Sequence, residues 1–463
     1  MVHSQVSLSP ARYTQLSLPG MFTPMIDVIP ETISIDSGSI NEIIEIYLDK
    51  YPSYHCFNKL NNVIKCGTGK LGYHIDVCDN CAESRAMANP CDNSLCPCCQ
   101  KRITENWIRN RNSELLPVPH FHLIFTLPSE ISTLALYNKK IVFDIFFNAA
   151  AAAINKFPNH DNIEIGFILS LHTSGGNLWF HPHIHVCMPG IGILKDGKLK
   201  RYSCKEELPF TEESLSQEFR RSFIEQLKKV YDNKNVDLQG SDKNNESEIE
   251  TICSEDDSQI KWPPILKALA ADRSEFDRWI EKLENMEWRS KIGDETQTDA
   301  KALIRYIGRR TVITDDEIVE VDSKRVIFLD KGKERELTIK EFVRRLVSHA
   351  MPKGLHRIRN YGFLGNSVKE KKISFILGKL GKTAPKKKKK VNECQQCKKG
   401  QMRGVAVILE NERVKTFPDQ IEKLKQMPWW ISILKKIESA KEIPDELRGS
   451  IPFWLMKLIQ SVD

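Results

Sequence analysis

Residues 181–187 read HPHIHVC and place three of the chain's twelve histidines, His181, His183 and His185, at alternate positions. Alternation at period two is that of a β-strand, and it sends the three imidazoles to one face. Two residues of strand rise separate His183 from His185 by about 7 Å, near enough for both rings to hold one divalent ion. With one further protein ligand, such an ion keeps open positions, as a Lewis acid for phosphoryl chemistry requires. Pro182 bends the chain beside His181, which reads as a neighbour of the site. Cys187 reads as an ordinary residue at the strand end, because a thiolate favours zinc over Mg²⁺.

The second chemistry-bearing pattern is cysteine. Cys78, Cys81, Cys96 and Cys99 make C-x2-C-x14-C-x2-C, the two-knuckle spacing that brings four thiolates round one tetrahedral zinc. With all four positions filled by protein, that zinc is structural, contributing on the order of 10 kcal/mol to the folding of a small domain with little apolar core. Cys66, His74 and Cys91 lie in the same segment, with Cys98, Cys56 or His55 as a fourth ligand, and leave a second zinc open. Cys394 and Cys397 repeat half the pattern; a distant partner, another subunit or no metal at all remain open for them. An odd total of thirteen cysteines argues for a reducing compartment and against a disulfide framework.

These groups need elements to hold them. "HFHLIFTLP" and "IEIGFILSLHTSGGNLWFHPHIHVCMPG" read as strands, the latter as two joined by a turn at Gly175 and Gly176. "SINEIIEIYLDKY", "ENWIRNRNSELLP", "YNKKIVFDIFFNAAAAAINKF", "ILKALAADRSEFDRWIEKLENMEW", "TDAKALIRYIGRR" and "TIKEFVRRLVSHAM" carry helical patterns. Strands and helices alternate without a βαβ rhythm, so the fold class is α+β. At 463 residues the chain exceeds the roughly 100–200 of one domain. It divides into an irregular segment (1–35), a zinc-binding domain (36–112), a sheet-based domain (113–367) with a polar acidic insertion (232–258), and a basic C-terminal region (368–463). In the last, Trp429 and Trp430 lie on an apolar segment that suits core packing or self-association.

The net charge of +7 (68 Lys and Arg against 61 Asp and Glu) is concentrated. Lys386–Lys390 is an unbroken run, and Arg344, Arg345, Lys353, Arg357, Arg359, Lys369, Lys371 and Lys372 add to it. Such clusters favour a polyanion, nucleic acid above all. No stretch approaches the ~18 consecutive apolar residues of a membrane span, and the N-terminal residues lack the apolar core of a signal peptide, so a cytoplasmic protein is expected.

"CDNSLCPCCQ", "LLPVPHFHLIFTLPSEI", "LHTSGGNLWFHPHIHVCMPG", "LIRYIGRR" and "HAMPKGLHRIRNYGFLGN", in this order over roughly residues 50–367, resemble the rolling-circle-type insertion-sequence transposases of the HUH endonuclease superfamily, in the branch with an N-terminal zinc-binding domain. The resemblance implies a nuclease domain on an antiparallel sheet in a prokaryotic, nucleoid-associated protein. In it His183 and His185 would hold Mg²⁺ or Mn²⁺ against a scissile phosphate, and one or two Zn²⁺ would be structural. It implies Tyr306 as nucleophile, leaving a 5′-phosphotyrosine and a free 3′-OH. Arg305, Arg309 and Arg310 would neutralise phosphate beside it. His172 ranks first as third metal ligand, ahead of His122; a tight Gly175–Gly176 turn would instead set His172 opposite Trp179. His120 and His122 also read as core or DNA-contacting residues.

Many relatives carry Tyr-x-x-x-Tyr, but the position four before Tyr306 is Ala302, so this chain looks like a single-tyrosine version. Two cleavages would then need two subunits, a homo-oligomer, or reuse of Tyr306. Lys353, Arg357 and Arg359 are expected to contact DNA, and Tyr361 reads as a DNA-stacking or packing residue. The expected partners are element-end DNA, single-stranded or hairpin, and target DNA, with no membrane. A replication initiator or relaxase would use the same chemistry, and a decayed or domesticated transposase would bind DNA without cutting it.

Overall fold

The computed structural model describes residues 39–50, 57–233, 260–293, 299–383 and, with short breaks, 393–427. The acidic insertion (beyond its first two residues), the Lys386–Lys390 run, Cys56, His55 and the Trp429–Trp430 segment lie outside them. The described residues form two units, one of residues 37–60 and 93–387, the other of 61–92 with residues from 393 on. The latter departs from the boundaries read in the sequence by taking in C-terminal residues.

The larger unit is built on one antiparallel sheet. Numbering the strands of both units in chain order, it contains β3 (His120–Thr126), β4 (Ile163–Ser174), β5 (Phe180–Pro189), β6 (Ile191–Leu194), β7 (Leu199–Arg201), β8 (Arg289–Ile292) and β12 (Ile358–Gly362). The order is β7-β6-β4-β5-β3-β8, with β12 also on β4. Alternation divides its faces. Phe121, Leu123 and Phe125 of β3, Phe167, Leu169 and Leu171 of β4, and Ile184, Val186 and Met188 of β5 all join one buried core. Two long helices, Lys139–His160 and Glu212–Asn233, bury their apolar residues in the same core. The first is long and apolar enough by composition to cross a membrane, yet its phenylalanines and alanines are packed inside the protein.

The opposite face carries His172, His183, His185 and Cys187. A smaller core there joins Ile168 and Cys187 to Leu303, Ile304 and Ile307, the apolar side of a short helix, Ala300–Ile307. Asp299 caps that helix by accepting from Lys301 N, and Gly308 ends it; a Cβ there would stand 2.8 Å from the Trp107 ring, so glycine permits the close approach. Gly362, at φ +56°, closes β12 where a Cβ would collide with the Ile165 carbonyl.

The β4–β5 hairpin ends in a 3₁₀ turn, Gly176–Leu178, tied down from two sides. Asn177 N donates to Asp330 Oδ2 (2.9 Å), and the Leu178 carbonyl accepts from buried His349 Nε2 (3.1 Å). The Thr173 hydroxyl then donates to His349 Nδ1 (3.0 Å), so the ring is a neutral Nε2–H tautomer. Burial pushes its pKa down to about 3, with Lys139 and Arg357 adding to the fall.

The smaller unit is a four-stranded antiparallel sheet, β14-β13-β1-β2, from β1 (Gly72–Cys78), β2 (Ser84–Ala88), β13 (Met402–Leu409) and β14 (Val414–Thr416). Cys78 pairs with Met402 and Gly72 with Leu409.

The His349 tautomer carries a pH signature. A histidine held neutral in the fold but free to protonate in the unfolded chain loses stabilising effect below its unfolded pKa of about 6.5, down towards its folded value. Urea unfolding should therefore show wild type losing ground against His349→Gln, which keeps a donor and an acceptor, by up to about 1.4 kcal/mol per pH unit below pH 6.5. Above pH 7 the difference between the two should be constant.

Candidate metal and nucleophile site

His172 stands opposite His183 across the β4–β5 ladder. The 3₁₀ turn makes the hairpin loop longer than a two-residue turn, which removes the alternative pairing with Trp179. A ligand atom from each of His172, His183 and His185 lies within 4.8 Å of the others. Hydrogen bonds select those atoms. His172 donates from Nε2 to the Ile307 carbonyl (3.1 Å), leaving Nδ1 free. His183 donates from Nδ1 to the His181 carbonyl (2.8 Å), leaving Nε2. His185 engages His122 Nε2 through Nδ1 (2.9 Å), and its Nε2 is buried with no hydrogen-bond partner. Three imidazoles whose other nitrogens are occupied by carbonyl or ring partners have the outer-shell arrangement of a metal-ligating set.

Their protonation suits ligation, which needs neutral rings. Burial, then the neighbouring His183, Arg357 and Arg309, push His172 down to about 3. Burial also holds His185 far below the usual range, helped by His172, His183 and His122, and lowers His183 and His122. His181 is exposed and belongs to no metal group among the described residues.

Tyr306 projects from the exposed side of the Ala300–Ile307 helix over this cluster, 54 % exposed. Its ring centroid is 4.9 Å from that of His185, 5.8 Å from His122 and 6.1 Å from His172. The helix is fixed to the sheet beside it: Ser170 Oγ donates to the Ile307 carbonyl (2.6 Å), which also takes the His172 bond.

The expected DNA-contacting cations separate into two groups. Arg305 and Lys353 are exposed, and Arg309 pairs with Glu317 at 2.9 Å. Arg357 is buried, donating to the Arg310 carbonyl at 2.8 Å; burial, then Arg310, bring it down to about 10, so it stays charged at neutral pH. Arg310 is lowered by burial alone, and the Nε atoms of both have no partner. On β12, alternation turns Arg359 and Tyr361 to the main core. Arg359 pairs with Asp144 over the Phe147 ring, and Tyr361 stacks on Phe167 (5.2 Å, 13°). Both residues are partly buried in these packing contacts.

The cysteine assignment also changes. Cys78 and Cys81 meet Cys394 and Cys397, not Cys96 and Cys99, because β13 returns to pair with β1. Cys78 Sγ lies 3.7 Å from Cys397 Sγ, and Cys81 Sγ 3.7 Å from Cys394 Sγ. A Zn–S tetrahedron with bonds near 2.3 Å has edges of about 3.8 Å. Asn80 N and Gly400 N donate to Cys78 Sγ and Cys397 Sγ; backbone donors of this kind bring Cys397 down to about 6, while burial raises Cys78 and Cys81. Cys96 and Cys99 are buried at the start of a helix, Pro97–Asn112, and Cys98 is exposed. His74 sits mid-strand opposite Met87 and Val407, outside this set.

Sequence reasoning missed Ser170 and His349, polar residues whose partners lie more than 130 residues away. It left His122 between ligand and contact residue; the structure sets it behind His185 as a hydrogen-bond partner.

Two family comparisons match in succession. Residues 39–127 match the family described as "Transposase zinc-binding domain", and residues 166–372 that described as "Putative transposase". Among curated proteins, "Putative transposase y4qJ" of Sinorhizobium fredii is 32 % identical over 333 residues, 69 % of this chain and 77 % of that one. "Transposase for insertion sequence element IS801" of Pseudomonas savastanoi pv. phaseolicola is 26 % identical over 321 residues, 67 % and 70 % of the two chains. No solved structure matches significantly. The chain belongs to the insertion-sequence transposases of rolling-circle type that carry a zinc-binding domain ahead of the transposase domain.

Proposed function

We propose that this transposase nicks and rejoins single-stranded DNA at the ends of its element, with Tyr306 as nucleophile and His172, His183 and His185 holding Mg²⁺ or Mn²⁺. The observation that carries the reading is Tyr306 standing over three neutral imidazoles, one of them with an orphaned buried nitrogen. When bound, the ion polarises the scissile phosphoryl group and offsets charge in the transition state. Imidazoles are softer donors than carboxylates, so Mn²⁺ is the better-held of the two.

Tyr306 Oη bonds to phosphorus with loss of its proton, and the 3′ oxygen leaves and takes one up. The products are a 5′-phosphotyrosine and a free 3′-OH. The phosphodiester to tyrosine keeps the energy of the broken bond, so attack by another 3′-OH rejoins DNA without nucleotide hydrolysis. Arg305, exposed on the same helix, contacts the arriving backbone. Among the described residues Arg310 and Arg357 have no carboxylate partner, and a cation partly or fully buried and left so is costly; the phosphate is the counter-charge they lack. With Ala302 in place of a second tyrosine, two cleavages use two subunits or Tyr306 twice.

The cysteines supply zinc to the recognition part. Cys78, Cys81, Cys394 and Cys397 would hold one structural zinc.

Incubated with labelled single-stranded element-end DNA and Mn²⁺, the wild-type protein should yield a denaturation-resistant adduct that Tyr306→Phe lacks. An adduct persisting in Tyr306→Phe would discard the mechanism. Elemental analysis should find zinc in the wild-type protein, its content falling by one per chain in Cys394→Ser; unchanged zinc content in that variant would remove Cys394 from the ligands.

A further inference from the structure

The tip of the β4–β5 hairpin has features that nicking at Tyr306 does not use. Trp179 is 53 % exposed there. One face of its ring is covered by the Arg345 guanidinium, 3.8 Å from the ring centroid. Arg345 is itself nearly buried and fixed, donating to Glu341 Oε1 (2.6 Å) and to the Asn177 carbonyl (2.7 Å). The turn that presents Trp179 is strained: Asn177 and Leu178 both have positive φ, +54° and +57°, a region unfavourable to residues with a Cβ. It is held there by Asp330 and His349. The fold thus keeps a large apolar ring in water with its back supported and its other face open.

Trp179, extended just ahead of β5, continues the spacing of His181, His183 and His185. Four residues of rise place Trp179 about 13 Å from His183. Lys331, exposed at its own turn, is near enough for its charge to bear on both His181 and His183. An aromatic ring backed by arginine and followed by a lysine has the chemistry of a single-strand track. Every base offers a π-face to stack on, and the cation attracts the phosphate that follows.

We propose that Trp179 is a stacking site for a nucleobase of the strand that runs across Lys331 to the histidine cluster, positioning the scissile phosphate by fixing a base a short distance along the chain. This rests on single-stranded DNA being the substrate, yet it concerns binding alone and can fail while cleavage at Tyr306 stands.

The test uses the full chain in the Tyr306→Phe background, so that binding is measured without cutting, in the presence of Mn²⁺. The probes are a twelve-residue oligothymidylate and a strand of equal length with most of its bases removed. The starting protein should prefer the intact strand. Trp179→Ala should reduce affinity for it by about 5- to 100-fold and leave affinity for the abasic strand unchanged. Trp179→Phe should retain most of the preference. The proposal is overturned if Trp179→Ala keeps the preference intact, or if it weakens both probes equally, which marks a structural role. Adduct formation with Tyr306 restored is scored separately, so loss of stacking and loss of the cleavage reading are distinguishable.

Discussion

One carbonyl oxygen couples the two halves of the site. The last carbonyls of a helix have no partner within it, and that of Ile307 is met by the Ser170 hydroxyl and by His172 Nε2. The same contact docks the end of the tyrosine helix on the sheet and fixes the tautomer of a candidate metal ligand. Tyr306 directly precedes Ile307, so the placement of its ring over His185 follows from this one docking point. Gly308 completes it by letting the chain turn against Trp107.

The electrostatics follow from the same burial. Four histidines within contact of one another stay neutral because water is excluded and because each protonated ring would repel the next. Arg310 and Arg357 lie beyond them as a reserve of positive charge with no carboxylate partner among the described residues. The sheet face therefore combines lone pairs with a positive background, a combination that suits an ion carrying an anionic ligand.

Much of this was legible in the chain. The alternation of His183 and His185 with Ile184, Val186 and Met188 assigns ligands to one face and core to the other without reference to anything distant. His172 was conditional, since its register depends on the length of the hairpin loop, and only the 3₁₀ turn decides that. Arg359 and Tyr361 are ambiguous in sequence for a related reason: basic and aromatic residues in alternation describe a DNA-contacting strand and a strand facing an aromatic core equally well. The four-cysteine grouping failed because spacing rules join the nearest pairs. The true partners of Cys78 and Cys81 are separated from them by more than 300 residues, and no local pattern announces that β13 returns to β1.

That return has a consequence for how the molecule is made. During synthesis at ~5–20 residues per second, the first knuckle leaves the ribosome with two thiols, and its other two arrive roughly 20–60 seconds later. The sheet of the larger unit, whose strands lie wholly between the knuckles, has time to form first. A product truncated ahead of Cys394 would then carry Tyr306 and the histidine cluster but lack the cysteines that meet the first knuckle. Completing this unit after the larger one makes synthesis through Cys397 a condition of its assembly.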